Sequence, residues 1–161
     1  MQHCFPPVTD AETRLLLLGS LPGAMSLSAQ RYYANPRNQF WKLTGAVIGR
    51  DLVALAYEER LAALRGAGIG LWDTVAAAER PGSLDADIRL HAASDLAGLA
   101  ASLPALRAIG FNGGTSAKIG RRQLGPRSDL ALIDLPSSSP AFTLSFEDKL
   151  ERWTALRPYL A

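Results

Sequence analysis

The chain has 161 residues, of which 48% are hydrophobic and 20% charged, and its net charge is +2. This length and composition are typical of one globular domain with a single core, so we expect one domain over residues 1–161, with residues 1–12 loosely ordered. The longest apolar run is much shorter than the roughly 20 residues of a membrane-spanning helix, and no basic and apolar leader opens the sequence. We therefore expect a cytoplasmic protein without a membrane partner.

Cysteine and histidine are too few to build a metal centre. Cys4 is the only cysteine in the sequence, which excludes an intramolecular disulfide and a tetrathiolate zinc site. The two histidines, His3 and His91, are isolated from each other in the sequence. We expect no bound metal.

Short apolar runs alternate with helical patterns along the chain. In chain order the sequence predicts a strand over 15–18, a helix over 40–48, a helix from Asp51 to Gly66, a strand over 69–72, a helix capped by Ser94 and ended by Pro104, strands over 108–111 and 130–135, and a last helix opened by Ser145 and Asp148. This alternation indicates an α/β domain with a mainly parallel sheet.

Loops rich in glycine and polar residues follow each predicted strand. They are residues 19–23, Asp73, residues 112–114 and residues 136–140. Ligands of open parallel sheets bind at the carboxyl ends of the strands. We therefore expect a functional site at that edge.

The segment Tyr32–Trp41 combines amide side chains, an arginine and four aromatic rings. It follows the first strand and its Gly/Pro turn closely. Such a set of side chains suits a flat ligand that forms hydrogen bonds and carries a phosphate nearby. A nucleobase is the ligand that this pattern favours.

Basic residues are concentrated in two blocks. Residues 13–50 contain five basic side chains and no acidic one, and so do residues 96–128. The blocks predict a basic face toward a polyanion, because the first of them coincides with the aromatic and amide segment. The alternative is that these charges are merely solvated.

Five segments, taken together and in this order, resemble the uracil-DNA glycosylase superfamily, and most closely its hypoxanthine-DNA (deoxyinosine) glycosylase branch. They are Gly19–Gly23, Tyr32–Trp41, Gly70–Val75, Phe111–Gly113 and Leu135–Pro140. The resemblance implies a three-layer α/β/α sandwich on a four-stranded parallel sheet, with hydrolysis of the N-glycosidic bond in DNA that contains deaminated bases. It also implies that no cofactor is needed. We expect a monomer, associated with the nucleoid if the source is prokaryotic.

Two positions depart from the wider superfamily. Leu21 stands where most members have the Asp or Asn that positions the attacking water, and Leu135 stands where a His or Asn stabilises the leaving base. The deoxyinosine branch is similar in using an asparagine further along the first motif. The resemblance therefore implies that Asn38 is catalytic, with Asn112 as a second amide. The alternative for Asn38 is a turn residue before an aromatic helix.

Asp73 lies where the uracil-reading members carry an amide, and we expect it to contact the base edge. An ionised carboxylate only accepts hydrogen bonds, so it suits the N1–H of hypoxanthine or the N3–H of uracil and repels the bare N1 of adenine. Asp73 could also cap a helix starting at Thr74. We further expect base contacts from Ser20 and stacking from one of Tyr33, Phe40 and Trp41, with Tyr33 nearest the first motif.

The expected DNA contacts come from three kinds of residue. Glycines allow close backbone approach, serine hydroxyls reach phosphates, and basic side chains attract the polyanion. These residues are Gly23, Gly113, Ser137, Ser138, Ser139, Arg37, Lys118 and Arg121. Phe142 either inserts into the vacated base stack or is buried beneath the last helix, and the sequence slightly favours burial.

Two other functions are alternatives to a glycosylase. A catalytically weak or inactive nucleic-acid or nucleotide-binding module on the same fold is favoured by Leu21. A serine hydrolase is disfavoured because the sequence has no G-x-S-x-G motif and neither histidine has a matching acid nearby.

Overall fold

The structure is a computed structural model that describes residues 2–3, 5–78 and 91–161. In chain order its strands are β1 (Gln2–His3), β2 (Leu15–Gly19), β3 (Ile69–Asp73), β4 (Val75–Ala78), β5 (His91–Ala93), β6 (Ala108–Asn112) and β7 (Ala131–Leu135). Its helices are α1 (Ala24–Ala29), α2 (Phe40–Ile48), α3 (Tyr57–Gly66), α4 (Leu96–Ser102), α5 (Gly114–Leu124) and α6 (Phe146–Trp153), and a 3-10 helix over Thr154–Tyr159 follows.

The predicted four-stranded parallel sheet is confirmed. Its order is β3-β2-β6-β7, with every neighbouring pair parallel. Leu15 to Leu18 of the central strand β2 are completely buried, which explains why this strand reads as a continuous apolar run. Full burial of one leucine side chain contributes about 1.5–3 kcal/mol.

The sheet is covered on both faces, as the α/β/α sandwich requires. Leu15 and Leu17 belong to a core cluster that includes residues of α2, α3 and α6, whereas Leu16 and Leu18 pack with Leu96 of α4 and with residues of β6 and α5. Alternate side chains of one strand therefore enter two cores. Within the part of the chain that is described, no helix is long and apolar enough to span a membrane.

A second, antiparallel sheet of order β1-β4-β5 was not predicted. Strand β4 begins two residues after β3 ends and contains three alanines, which have little strand preference. Helices α1 and α5 were missed as well, because α1 is only six residues long and α5 begins at Gly114 with Gly113 as its N-cap, two residues that do not favour a helix.

Two predicted helix starts were wrong. The Asp51 carboxylate accepts a hydrogen bond from the Ala54 N–H at 3.4 Å in a turn, and α3 begins only at Tyr57. The cap of α4 is Asp95, whose carboxylate accepts from the Gly98 N–H at 3.0 Å. Each carboxylate bonds to a backbone N–H three residues ahead, and local geometry decides which one starts a helix.

The N-terminal segment is held more firmly than expected. Val8 exchanges two backbone hydrogen bonds of 2.9 Å with Leu71 of β3, and the Trp72 indole N–H donates to the Phe5 carbonyl at 2.9 Å. The described residues from Phe5 onward therefore lie against the edge of the sheet.

Candidate active site

The carboxyl ends of the four parallel strands bring the predicted loops to one edge of the sheet. Gly19 and Asp73 are partners at the ends of β2 and β3, and Asn112 and Leu135 are partners at the ends of β6 and β7. The structure thus brings together the residues that follow each strand, as the sequence predicted.

Three polar side chains meet beside Gly19. The Tyr33 hydroxyl accepts a hydrogen bond from Asn112 Nδ2 at 3.3 Å. A methyl group on Gly19 would lie 2.9 Å from Tyr33 Oη and 2.6 Å from Asp73 Oδ1, so both oxygens lie against the bare glycine backbone. Asp73 is buried, with 4% of its surface exposed. A carboxylate, a phenol and an amide therefore share one small polar site.

Asp73 does not cap a helix. It is the last residue of β3, and Val75 begins the strand β4 instead of a helix. Thr74 donates its backbone N–H to the Gly19 carbonyl at 2.8 Å, so the chain continues in an extended path. The position of the Asp73 side chain is therefore set by its place as the last residue of strand β3 and not by a helix.

Tyr33 has a backbone conformation that is uncommon for a large side chain. Its φ angle is +52°, in the left-handed region, which costs about 1–3 kcal/mol for a residue other than glycine. Its carbonyl accepts from the Trp41 indole N–H at 3.1 Å, and its ring stacks on Phe40 with centroids 3.8 Å apart. These contacts fix the direction of the Tyr33 hydroxyl.

Phe40 supports Tyr33 and does not present a face to a base, which corrects one prediction. Its side chain is completely buried. Tyr33 covers its ring in a parallel stack, and the edges of Trp41 and Trp153 approach it at near right angles. Trp41 is buried as well, so Tyr33 alone of the three predicted stacking candidates is partly exposed.

The segment before α2 is tied to its neighbours by its backbone. The Tyr32 N–H donates to the Tyr57 hydroxyl at 2.9 Å, and the Ala34 N–H donates to Ser26 Oγ at 3.0 Å. Burial is the main cause that raises the pKa of Tyr57, so this hydroxyl stays protonated at neutral pH. The loop is therefore anchored on both α1 and α3.

Asn38 lies at the start of α2, where its Oδ1 accepts a hydrogen bond from the Phe40 N–H at 3.0 Å. This is the geometry of a turn asparagine before an aromatic helix. An amide oxygen has two lone pairs, so the same atom can accept a second hydrogen bond from water. The structural role of Asn38 is observed, and its catalytic role stays a prediction.

Asn112 and Ser138 are both buried and bonded to each other. Asn112 Nδ2 donates to Ser138 Oγ at 2.9 Å, and the Ser138 N–H donates to Asn112 Oδ1 at 2.9 Å. The Ser138 carbonyl accepts from the Gln39 N–H at 2.9 Å. With 1% of its surface exposed, Ser138 does not reach a phosphate in this structure, which corrects its predicted DNA contact.

The neighbouring serines stabilise their own loop. Ser137 Oγ accepts from the Ser139 N–H at 3.1 Å, and Ser139 Oγ accepts from the Ala141 N–H at 3.2 Å. Gly113, with φ of +98°, lies close to this loop, since a methyl group on it would be 3.2 Å from Ser137 Cβ. Both serines keep part of their surface exposed toward solvent.

The remaining predicted residues near the first motif differ in exposure. Ser20 is buried, with 5% exposed, and Gly23 is the N-cap of α1 with a φ of −73° that any residue can adopt. Leu21 is buried and packs with Val75 and Ile119, so its replacement of the usual polar residue makes an apolar contact. Leu135 is part of the larger core.

The predicted basic DNA contacts differ in their surroundings. Arg37 and Lys118 are exposed. Arg121 forms a 2.9 Å ion pair with Asp134 and donates to the Leu132 carbonyl at 3.1 Å. Its guanidinium thus contacts β7 while the side chain stays 44% exposed, and its contact with DNA stays a prediction.

Phe142 is exposed over 46% of its surface, so the favoured expectation of burial beneath the last helix was wrong. Sequence reasoning also missed Lys149, a buried lysine of α6 whose ammonium lies 5.5 Å from the centre of the Phe142 ring. The i+4 spacing from Ser145 could have placed it one turn from the helix start. In the described ranges, no group of three or more His, Cys, Asp or Glu side chains is arranged to hold a metal ion.

Comparisons with known proteins extend over nearly the whole chain. A family model described as the uracil DNA glycosylase superfamily matches residues 6–159. A protein named hypoxanthine DNA glycosylase from Methanosarcina acetivorans is 40% identical over 94% of this chain and 95% of its own length. A protein of the same name from Methanosarcina barkeri is 38% identical over 92% of this chain and 93% of its own length.

A solved structure is similar as well. It is a solution NMR structure from Methanosarcina acetivorans of a protein described as a candidate uracil DNA glycosylase. The two chains share 38% identity and superpose with a TM-score of 0.86, over 99% of this chain and 98% of the other.

Proposed function

The chain belongs to the uracil DNA glycosylase superfamily, and from this membership we propose that it is a monofunctional DNA glycosylase that excises deaminated bases. Hypoxanthine is the first substrate, and uracil or xanthine are further ones. The relatives named hypoxanthine DNA glycosylase support this order, because they match the chain over more than nine-tenths of its length. We propose that it acts as a monomer in the cytoplasm, at the nucleoid if the source is prokaryotic.

The reaction needs few protein groups. Water attacks C1′ of the extruded nucleotide, the N-glycosidic bond breaks, and the base leaves with the bonding electrons and takes up a proton from solvent, while the attacking water releases one proton to solvent. The sugar carries positive charge in the transition state. The protein must therefore extrude the nucleotide, hold the base edge and aim one water.

The observation that carries the proposal is the meeting of Asp73, Tyr33 and Asn112 beside Gly19. The buried Asp73 carboxylate offers only acceptors, which fits the N1–H of hypoxanthine and disfavours adenine. A buried acceptor facing another acceptor lacks a hydrogen bond, and such mismatches discriminate more strongly than size.

Water positioning is assigned to Asn38. Its turn is joined to the loop after β7 through the bond from the Gln39 N–H to the Ser138 carbonyl, so it lies on the framework that also holds Asn112. A neutral amide activates water less than a carboxylate does. We therefore expect a slower enzyme than members with an aspartate in the first motif.

Single-turnover cleavage of labelled duplexes tests the proposal. Matched strands carry one hypoxanthine, uracil, xanthine or adenine, and alkali converts abasic sites into strand breaks. We expect hypoxanthine to be removed fastest, adenine to be left intact, and EDTA to have no effect. Loss of activity in EDTA that a divalent ion restores would contradict the water-positioning scheme.

The second candidate is a binding module without catalysis. The buried Leu21, which packs with Val75 and Ile119, favours it because most superfamily members have a polar residue there. In that case the protein would bind the lesion duplexes and leave every glycosidic bond intact.

A further inference from the structure

Lys149 of α6 is a buried cation that the proposed chemistry does not use. Only 1% of its surface is exposed, which places it among the largest fully buried side chains of the described chain. Among the described residues, no carboxylate lies within 4.0 Å of its ammonium. Lysine is almost never fully buried without an ionic partner, because removing its charge from water is costly. The cost of burying this charge indicates that the Lys149 ammonium has a specific function.

Its contacts are with one loop. The Lys149 ammonium donates to the Ser139 carbonyl at 3.3 Å and lies 5.5 Å from the centre of the Phe142 ring. Four residues further along the same helix, the Trp153 indole N–H donates to the Pro136 carbonyl at 2.9 Å. Residues at this spacing share one helix face. Helix α6 thus holds the loop over residues 136–142 at two points.

The Ser139 carbonyl is the point where the loop turns. It accepts one hydrogen bond from the Lys149 ammonium at 3.3 Å and another from the Phe142 N–H at 3.1 Å. The two donors use both lone pairs of this oxygen. Phe142, at the end of that turn, keeps 46% of its surface exposed. Lys149 therefore fixes the backbone that carries the exposed ring and also contacts the ring itself.

We infer that Lys149 is a positioning residue for nucleotide extrusion, which holds the loop 136–142 so that Phe142 is presented to the base stack before DNA arrives. This inference rests on the proposed function. An apolar side chain of the same size would fill the space. It would form neither the hydrogen bond to the Ser139 carbonyl nor the cation–π contact with the Phe142 ring. A loop ordered in advance loses less conformational entropy on binding.

The test compares Lys149→Met with the matched control Arg152→Met, which removes one exposed positive charge from the same helix and lies outside both basic blocks. Single-turnover cleavage is measured on an inosine duplex and on the same strand without its complement. A single strand needs no insertion into a stack, whereas a duplex does. We expect Lys149→Met to lower the duplex-to-single-strand rate ratio about tenfold, equivalent to one lost hydrogen bond, and Arg152→Met to leave that ratio unchanged.

A double-mutant cycle with Phe142→Ala separates positioning from general stability. If Lys149 acts through Phe142, adding Lys149→Met to Phe142→Ala lowers the duplex rate much less than Lys149→Met alone. Additive losses, or equal losses on both substrates, would overturn the inference. A salt dependence of binding that becomes shallower by about one unit would also overturn it, because Lys149 would then contact a phosphate. Should Lys149→Met not fold, Lys149→Gln, which keeps a shorter donor, takes its place in every arm.

A binding measurement keeps this inference separate from the proposed reaction. The probe is a duplex with a tetrahydrofuran abasic analogue beside 2-aminopurine, whose fluorescence rises when its stacking is disturbed. We expect the wild-type protein to raise the fluorescence and Lys149→Met to raise it less. If wild-type protein cleaves no lesion but gives this difference, the proposed reaction fails and the positioning role stands. If wild-type protein gives no rise, the positioning role is wrong.

Discussion

Asn112 and Ser138 exchange two hydrogen bonds, one from Asn112 Nδ2 to the serine hydroxyl and one from the Ser138 N–H to Asn112 Oδ1, both 2.9 Å long. The pair joins the end of β6 to the loop after β7. Both residues are buried, so neither bond competes with bulk water. Both the nitrogen and the oxygen of the Asn112 side chain thus bond to Ser138, and their main contribution is to hold the end of β6 against the loop after β7.

Replacing Asn112 by alanine should therefore reduce stability more than chemistry. The buried Ser138 N–H would lose its acceptor, which lowers the free energy of unfolding by about 1–3 kcal/mol. Urea unfolding measures this change, and Ser138→Ala is the matched control, because it keeps the backbone bond and should lose less. An Asn112→Ala protein of wild-type stability without cleavage would show that Asn112 acts directly on the substrate.

The sheet was predictable because its strands are short, continuous apolar runs followed by glycine or polar residues. Leu15–Leu18 is the best example, since completely buried strands show no alternation. The antiparallel sheet with β4 was not predictable, because three alanines carry almost no strand signal and their partners are distant in sequence. Local patterns report burial well and long-range pairing poorly.

The site was predictable in its location and less so in its details. Strand ends placed Asp73 and Asn112 at one edge, and the aromatic segment brought Tyr33 to them. The sequence could not distinguish Tyr33 from Phe40 as the exposed ring, because both are aromatic residues of one short segment and composition does not show which of them is buried. It did not reveal Lys149, since a lysine in a polar helix normally indicates a solvated face.

The proposed catalytic amide is tested by Asn38→Ala. We expect single-turnover cleavage to fall by roughly 10²–10³, the usual loss when one preorganised polar contact to a transition state is removed. Affinity for DNA should change little. The fall should exceed that of Asn112→Ala.

Asn35→Ala is the control for that substitution. Asn35 lies in the same turn and accepts from the Arg37 N–H at 3.0 Å, as Asn38 accepts from Phe40. Each alanine removes one local bond of the turn, so both should lower stability by similar amounts, about 1 kcal/mol. Only the Asn38 variant should lose catalysis. If it retains near wild-type cleavage of inosine and uracil substrates, the assignment of the water to Asn38 is wrong.

Gly19→Ala should disrupt the site without unfolding the sheet. Its methyl group would lie 2.6 Å from Asp73 Oδ1 and 2.9 Å from Tyr33 Oη, closer than real contacts allow, so both side chains must move. A displacement of about 1 Å in a site can lower the rate about 10²-fold. Gly66→Ala, at the end of α3 with no atom within 4 Å of its added methyl group, should leave cleavage unchanged. Equal cleavage rates for the two variants would contradict a role in catalysis for the Asp73 and Tyr33 side chains beside Gly19.

Charge removal should distinguish the exposed basic residues from the paired one. Arg37→Gln and Lys118→Gln should each flatten the dependence of log K on log salt by about one unit, if each contacts one phosphate. Arg121→Gln should not, because Asp134 and the Leu132 carbonyl hold its guanidinium. Anisotropy titrations of an undamaged duplex at several salt concentrations measure the slopes. A slope change for Arg121 alone would place the DNA on the β7 side.

Lys149 should also leave a signature in the pH dependence of stability. Burial lowers the pKa of Lys149 in the folded protein below its ordinary value of 10.5. Between the lowered value and 10.5 the unfolded chain binds more protons at this site than the folded one, so the free energy of unfolding rises with pH in that window. The stabilising contribution is fully present above the unfolded pKa and is lost as pH falls through the folded pKa.

The variant Lys149→Met has no such titration, whereas other alkaline groups, such as Tyr57, are common to both proteins and cancel in the comparison. The free energy of unfolding of the wild type minus that of Lys149→Met should therefore become more positive as the pH rises through the window below 10.5 and then level off. A difference that stays constant over this range would mean that the Lys149 ammonium is as well solvated in the folded protein as in the unfolded chain.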